Sequence, residues 1–483
     1  MHRVEKDLLG HMNIAAEAYY GIHTARSVEN FKVTGIPVDR EIIGALAMVK
    51  KAAALANMEL GHLDPVTGRA IVAAAEEIIA GKLEDQFIVD SIQGGAGTSI
   101  NMNINEVMAN RAIEILGGSK GDYDLVSPND HVNMSQSTND VLPSAIRLAL
   151  LKKSVRLYKR LKRLVHTLEE KAGEFNGVVK MGRTHLQDAV PIRLGQEFSA
   201  YAAVLKRCLK RMAAAAGELR EINLGATAVG TGLNADNKFS GISVKLLSRL
   251  SGYNLRLAGN LVDCTQNQDV LVVVSGALKE LAVSLSKVAN DLRLMSSGPR
   301  CGFGEIKLPA MQAGSSIMPG KVNPVIPETV NQVCFQVMGN DLAATMGVEA
   351  GQLELNVMVP VVVYNLINSI NLLTNVIGIF EERCVRGISA DTEKSRQMVE
   401  NSIGLATALG PYLGYRRASE VAREALEEEA SVIDIVLKRG LLTRERASEI
   451  LSPQKMAGPC TEMPDPGTVR TETGKCGGSA GEC

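Results

Sequence analysis

The chain contains no tryptophan, and aromatic residues make up only 4% of its 483 residues. Proteins that bind single-stranded nucleic acid stack bases on aromatic side chains, so this composition disfavours that class. The chain also has almost no net charge, because 52 Lys and Arg nearly balance 53 Asp and Glu, which leaves −1. Without a global positive field, we expect neither nucleic acid nor an anionic membrane as a partner.

Closely paired cysteines are absent as well, and we expect no N-terminal leader. The eight cysteines are scattered, without metal-ligand spacing, a pattern typical of a reduced intracellular protein. Residues 1–7 lack an apolar signal region, which favours a cytoplasmic location. The most apolar stretch, residues 357–380, contains four Asn and one Pro. Such amides are costly in lipid, so we predict a buried helix of a soluble protein.

Helical periodicity dominates the chain. Apolar residues at steps of three, four and seven predict long helices over four segments: from Pro143 to about residue 168, 194–224, 266–295 and 328–346. Strand candidates are few and short, so we predict an all-α fold built on a long-helix bundle. Asn residues at 365, 368, 371 and 375 form a polar stripe on the apolar helix. We expect buried amide contacts between helices there, which suggests that several chains share one bundle.

The joints between these segments predict three domains and a tail. Residues 1–140 form a mixed helical domain, 141–393 the central bundle and 394–463 a small helical C-terminal domain. Residues 464–483 are rich in Gly, Pro, Thr, Glu and Cys and lack apolar periodicity, so we expect a disordered tail.

Three polar motifs are candidates for a binding site. Residues 93–99 read Gln-Gly-Gly-Ala-Gly-Thr-Ser, and their glycines allow a ligand close to the backbone, although a simple turn would look the same. Residues 135–140 read Ser-Gln-Ser-Thr-Asn-Asp just before a long helix, where hydroxyls and N–H groups could bind a carboxylate rather than only cap the helix. Residues 182–189 include His185, which by itself is more often structural than catalytic.

The fourth motif, residues 314–324, reads Gly-Ser-Ser-Ile-Met-Pro-Gly-Lys-Val-Asn-Pro. A phosphate-binding P-loop needs four residues between its glycines and Ser or Thr after Lys. Here five residues lie between the glycines and Val322 follows Lys321, so that interpretation fails. What remains is a loop with Gly and Pro hinges that presents two serines, a lysine and an amide, which suits closure over a small dicarboxylate.

This loop closely resembles the signature loop of the aspartase/fumarase superfamily, and the other three motifs match that superfamily in order and spacing, from Arg3 to about Pro453. The resemblance implies a three-domain all-α fold and a homotetramer whose active sites are each built from three chains. It implies carbon–nitrogen or carbon–oxygen lyase chemistry on a small dicarboxylate, with no metal and no organic cofactor.

The resemblance also assigns roles to residues. Ser315 would be the base, acting as an alkoxide, and Glu328 would pair with His185. The remaining expected contacts are Thr98, Ser137, Thr138 and Ser316 to the β-carboxylate, Lys321 and Asn323 to the α-carboxylate, and Thr184, Asn139 and His185 to the amino group.

Within the superfamily the motifs are more similar to those of aspartases than to those of class II fumarases. Fumarases typically have a second Ser at the position of Thr138, and a Gln-Thr pair in the segment around residues 20–24. His185 and the segment 353–358 do not discriminate. We therefore expect an aspartate ammonia-lyase. Fumarate hydratase is the alternative, and a binding protein that has lost chemistry is the third possibility, which the intact residue set disfavours.

Overall fold

The computed structural model describes residues 1–458, and α-helices dominate that part of the chain. Seventeen α-helices occur there: α1 Ile22–Asn30, α2 Arg40–Glu59, α3 Pro65–Ile79, α4 Thr98–Ile115, α5 Thr138–Glu174, α6 Leu194–Glu218, α7 Phe239–Ser251, α8 Leu261–Gln266, α9 Asp269–Met295, α10 Val325–Glu349, α11 Val359–Arg383, α12 Thr392–Glu400, α13 Gly410–Leu413, α14 Tyr415–Glu427, α15 Val432–Lys438, α16 Arg444–Ile450 and α17 Pro453–Met456. The predicted all-α fold is confirmed.

Strands are short and form only two-stranded sheets within the described residues. The strands are β1 His2–Asp7, β2 Gly10–Ala15, β3 Val179–Thr184, β4 Gln187–Arg193, β5 Glu221–Ile222, β6 Arg256–Leu257, β7 Ile306–Lys307 and β8 Ser389–Ala390. They pair consecutively, antiparallel except for the parallel pair β5–β6. Two-stranded ribbons cannot form a core by themselves, so the helices provide it.

The four long helices predicted from periodicity are present as α5, α6, α9 and α10. The apolar face of α5 is fully buried at Leu157, Leu161 and Leu164. The predicted start of α5 was wrong, however: the helix begins at Thr138, and Pro143 lies inside it. Proline lacks the N–H that would reach the carbonyl of Asn139, and the side chain of Asn223 donates to that carbonyl at 3.1 Å instead. A substitute donor therefore keeps the helix intact through the proline.

The apolar segment 359–387 contains the one described helix that is long and apolar enough to cross a membrane. Two thirds of its most apolar window is buried inside the protein, which is typical of a core helix. This helix, α11, packs against α10, which also packs against α9. The prediction of a buried helix in this segment is confirmed.

Within this chain, the Asn stripe on α11 contacts groups other than the amides of neighbouring helices. The Asn365 side chain donates to the Val361 carbonyl of its own helix at 2.8 Å. Asn371 accepts from Lys153 Nζ at 2.9 Å. Asn368, Asn371 and Asn375 line a largely apolar cavity of about 250 Å³. The amide-to-amide contacts are therefore not found here, and contacts of this stripe between chains stay a prediction.

Two compact units account for the described chain. Unit 1 comprises residues 1–167, 201–295 and 308–388, and unit 2 comprises 168–200, 296–307 and 389 onward. The core of unit 2 gathers apolar side chains of the C-terminal helices, among them Val421 and Val436, around Met181. The three-domain division stays a prediction, and the expected tail at 464–483 lies outside the described residues.

Candidate active site

A cavity of about 490 Å³ in unit 1 collects three of the predicted site residues, Thr98, Ser137 and Thr138. Most of the residues that line it have polar side chains. The other lining residues are His23, Asn101, Met102, Asn129, Asn133, Ser135, Gln136, Thr227, Ala228, Leu233 and Asn234. Hydroxyls and amides converge on one concave site, the arrangement expected where a small polar ligand is oriented by hydrogen bonds.

Two helix N-termini form one side of this cavity. Helix α4 begins at Thr98 after Gly97, whose φ is +84°, and α5 begins at Thr138. A Cβ on Gly97 would lie 2.2 Å from Leu142 Cδ2 of α5, so a larger residue here would force the buried Leu142 side chain to shift. The helix dipoles at these two N-termini favour an anion, which agrees with a carboxylate ligand.

Asp140 anchors the segment that carries Ser137 and Thr138. The carboxylate is fully buried and accepts hydrogen bonds from the backbone N–H of Ser137 at 3.0 Å, Gly225 at 3.0 Å and Thr227 at 2.9 Å. Burial raises the pKa of Asp140 to about 6, although these N–H groups and Lys50 act in the opposite direction. One side chain thus joins the start of α5 to the loop at 225–227 on the far wall.

Asn139, which was expected to contact the amino group, is held from one side only. Its Nδ2 donates to the Ala228 carbonyl at 2.8 Å. Because a backbone carbonyl can only accept, this contact fixes the orientation of the amide. Oδ1 is then the atom available to accept from a ligand ammonium, as the expected role requires.

The signature loop lies between β7 and α10 in unit 1 and is closed at its base. The Gly314 N–H donates to the Lys321 carbonyl at 2.7 Å, and Asn323 Nδ2 donates to the Gly314 carbonyl at 2.8 Å. Within the loop, Ser315 Oγ accepts from the N–H groups of Ile317 at 3.2 Å and Met318 at 3.0 Å. Two backbone donors on one hydroxyl oxygen stabilise negative charge on that oxygen.

The other predicted residues of this region are more exposed. Ser316 and Lys321 are exposed in the loop, and Glu328 is exposed in the first turn of α10, where Gln332 Nε2 lies 3.4 Å from its Oε1. None of these three, nor Ser315 or Asn323, lines the cavity that contains Thr98. The structure therefore places the predicted residues of unit 1 in two groups, the cavity wall and the loop.

Thr184 and His185 belong to unit 2, at the tip of the β3–β4 hairpin. Thr184 pairs with Gln187, so His185 and Leu186 form a two-residue turn, with φ of +51° and +65°. Such turns usually contain Asn and Gly, because positive φ strains other residues. Both residues are exposed, and Leu186 is 64% exposed. A strained, exposed turn lowers stability, and such turns are typical of segments that contact a ligand or a partner.

The base of this hairpin is fixed by buried charge. Glu305 is fully buried and forms ion pairs with Arg183 at 2.7 Å and with Lys180 at 2.9 Å. The Arg183 guanidinium also stacks on the Phe303 ring at 4.1 Å. Both cations lie on β3, directly before Thr184, so the rigid part of the hairpin ends where the expected substrate contacts begin.

Sequence reasoning missed several residues of the cavity wall. Thr227 lies in a segment we had treated only as a joint, yet it is buried with φ of +58°, which is unusual for a β-branched residue. His23 reaches the cavity because buried Glu106 accepts from the N–H groups of Gly21, His23 and Thr24 and from the Thr24 hydroxyl. A glutamate among apolar α4 positions was the only available signal.

Groups of three or more His, Cys, Asp or Glu that could hold a metal ion do not occur within residues 1–458. The five described cysteines, at 208, 264, 301, 334 and 384, form no disulfide. The prediction that the reaction needs no metal stays a prediction.

Comparison with known proteins identifies the family of this chain. The family model described as Lyase matches residues 10–339, and the model described as Fumarase C C-terminus matches residues 405–458. The chain belongs to the aspartase/fumarase superfamily. A curated relative from Bacillus sp., named aspartate ammonia-lyase, is 56% identical over 457 residues, which cover 95% of this chain and 98% of the relative.

Two solved superfamily structures share the fold. The fumarate lyase:delta crystallin from Brucella melitensis, bound to cobalt, has a TM-score of 0.93 and 52% identity, covering 95% of this chain and all of that chain. The class II fumarase from Schistosoma mansoni has a TM-score of 0.92 and 37% identity over the same shares. The backbone thus matches these two solved structures about equally well, and the sequence is 56% identical to the relative named aspartate ammonia-lyase.

Proposed function

We propose that the chain is an aspartate ammonia-lyase, which converts L-aspartate reversibly to fumarate and ammonia. The observation that carries this proposal is the 56% identity, over nearly the full length of both chains, to a relative named aspartate ammonia-lyase. The class II fumarase of known structure shares only 37% sequence identity with this chain. The alternative, hydration of fumarate to malate, requires the same fold and nearly the same residues.

The difficult step is removal of the C3 proton, because it leaves a dianionic aci-carboxylate that is too unstable in water to form unaided. Donors placed where this charge grows lower the barrier. Thr98, Ser137 and Thr138 line one cavity at two helix N-termini, which supports their role at the β-carboxylate. Ser316 would complete the set from the loop.

Ser315 is the general base in this proposal. A serine hydroxyl is a poor base unless its alkoxide is stabilised. The N–H groups of Ile317 and Met318 on Ser315 Oγ support such stabilisation. Lys321 supplies a positive charge from the same loop and, with Asn323, would hold the α-carboxylate.

The amino group would be held by Thr184, Asn139 and His185. The donation from Asn139 Nδ2 to the Ala228 carbonyl supports this, because it leaves Oδ1 to accept from an ammonium. We further propose that His185 pairs with Glu328. An ammonium leaves as neutral ammonia without needing a strong acid, whereas hydroxide needs a proton, so this pair fits either lyase.

A homotetramer with active sites built from three chains follows from the superfamily and has support in α10. Phe335, Leu342 and Met346 lie on one face of this helix and are 62–63% exposed. Apolar exposure of this size along one helix face is typical of an interface. Glu328 lies on the same face, seven residues before Phe335, where it would meet a partner chain. We propose a cytoplasmic location for this assembly.

One assay tests the activity. Purified protein is given L-aspartate and, separately, L-malate, and fumarate is followed by its ultraviolet absorbance. Fumarate from aspartate with little from malate is the expected result. Fumarate from malate alone would establish the hydratase, and none from either substrate would favour a protein that keeps the fold without the chemistry. Sedimentation of the active species checks the tetramer, since a stable, active monomer is incompatible with shared sites.

A further inference from the structure

Four polar side chains form a continuous hydrogen-bonded chain that runs from Thr138 through the cavity-lining residues Asn101 and Asn133 to Lys50. Asn101 Nδ2 donates to Thr138 Oγ1 at 3.1 Å and to Asn133 Oδ1 at 3.2 Å. Asn133 Oδ1 also accepts from Lys50 Nζ at 2.7 Å. Asn101 and Lys50 are at most 2% exposed. This chain brings together residues far apart in the sequence, from α2, α4 and the segment before α5.

The direction of each hydrogen bond in this chain is fixed by an obligatory acceptor. Asn133 Nδ2 donates to the Gln136 carbonyl at 3.3 Å, and a carbonyl cannot donate. Asn133 must therefore present Oδ1 to Asn101, and Asn101 must answer with its NH₂ group. A flipped Asn101 amide would place two carbonyl oxygens against each other.

The consequence falls on the Thr138 hydroxyl. Its oxygen already accepts from Asn101, and the described residues offer its proton no acceptor. The proton is therefore free to be donated into the cavity, which Thr138 lines. Asn101 Oδ1, by contrast, is buried without a partner. A buried carbonyl without a partner is unfavourable, so the orientation of this amide is maintained against a local penalty.

We propose that Asn101 is a positioning residue that makes Thr138 an obligatory hydrogen-bond donor to the substrate carboxylate. This rests on the proposed function, because it presumes that Thr138 meets a carboxylate on which charge develops. Asn101 lies three residues after Thr98 on the same face of α4, and both residues line the cavity. It acts through Thr138 and does not itself contact the reacting atoms.

A double-mutant cycle on the full-length enzyme tests this proposal. The wild type is first assayed with aspartate and malate, which settles the proposed function separately, and the cycle then uses whichever substrate is active. Thr138→Val should lower kcat by about 10²–10³-fold, the usual effect of losing one such donor. Asn101→Ala should lower kcat about tenfold in the wild type, but less than twofold in the Thr138→Val background, because its effect requires the hydroxyl.

Asn103→Ala is the matched control. Asn103 is another buried amide of α4, and it donates to the Gln86 carbonyl at 3.0 Å, away from Thr138. Its replacement should lower stability without lowering kcat. If Asn101→Ala does not fold, Asn101→Leu fills the space without an amide and enters the same cycle. Equal losses of kcat from the Asn101 substitution with and without the Thr138 hydroxyl would overturn the proposal, as would an unchanged kcat in the single variant.

Discussion

The cavity wall at the start of α4 and α5 and the signature loop at 314–323 both present hydroxyls, but they hold them differently. The wall hydroxyls lie beside fully buried groups such as Asp140, which alone accepts three backbone hydrogen bonds. The loop is exposed over most of its length, and two hydrogen bonds close its base. In the proposed reaction, the preorganised wall would receive the developing charge and the adjustable loop would supply the base.

The largest effect is expected from Ser315→Ala in the loop. If this hydroxyl is the base, kcat should fall by about 10²–10⁴-fold or more, the usual contribution of a positioned general base. Binding of a non-reacting dicarboxylate such as succinate should change little, because the interaction is made only during proton transfer. Stopped-flow or steady-state assays and calorimetric titration measure the two quantities. A near-normal kcat would exclude Ser315 as the base and direct attention to His185.

A pair of glycine substitutions compares the rigidity of the two regions. Gly97 and Gly320 both have positive φ, +84° and +79°, but only Gly97 is crowded, by buried Leu142. Gly97→Ala should therefore lower the free energy of unfolding by about 2–4 kcal/mol, from backbone strain and overpacking together. Gly320→Ala should cost about 1–2 kcal/mol from strain alone. Urea unfolding measures both.

Gly117 provides the control for that pair, because its φ is also +84° and nothing lies near its missing Cβ. Gly117→Ala should match Gly320→Ala. Equal losses of unfolding free energy in Gly97→Ala and Gly117→Ala would show that the contact between the two helix N-termini is not tight. The cavity wall would then not be more rigid than the loop.

Lys321→Ala should weaken binding more than it slows the chemical step. It removes the proposed charge partner of the α-carboxylate, and a hydrogen bond to a charged group contributes about 1.5–3 kcal/mol, which corresponds to roughly 10–150-fold in affinity. Both KM and the Kd of succinate should rise, with a smaller change in kcat. Lys82→Ala, at an exposed lysine outside the loop, controls for the loss of one charge. An unchanged Kd in Lys321→Ala would remove this residue from the binding site.

The pH dependence of stability should show a gradual effect. Burial lowers the pKa of Lys50 from 10.5 to about 7, with partial compensation from Asp140. Between these two values the unfolded chain binds one proton more than the folded chain, so folding gains stability as pH rises. Relative to Lys50→Met, the wild type should therefore gain up to about 1.4 kcal/mol per pH unit above pH ~7.5. Urea unfolding of both proteins at several alkaline pH values checks the sign.

The fold was largely predictable because the buried face of a long helix appears in the sequence as a periodic pattern of apolar residues. The steps at Leu157, Leu161 and Leu164 predicted a buried face, and all three are fully buried. The start of α5 was missed for a local reason: Pro143 normally marks a helix beginning, and the donor that allows it inside the helix, Asn223, lies eighty residues away. A contact of that kind leaves no periodic signal.

The candidate site likewise has parts that the sequence could predict and parts that it could not. Motifs contiguous in sequence, such as 135–140, could be identified as polar segments at a helix start. The role of Asn101 could not, since it depends on Asn133 and Thr138, to which the fold connects it. The hairpin tip was equally hidden, because turn rules favour Asn and Gly where this chain has His185 and Leu186.

That turn has a consequence for anyone who engineers this enzyme for robustness. A library screened only for heat resistance would be drawn to the tip of the β3–β4 hairpin, because Asn and Gly relieve the strain at φ of +51° and +65°. The selected variants would be sturdier as folded chains, and they would have lost His185. A screen that scores thermal stability and turnover together would keep His185 and Leu186. Their retention under both selections would mark the hairpin tip as a position where natural selection has favoured turnover over stability.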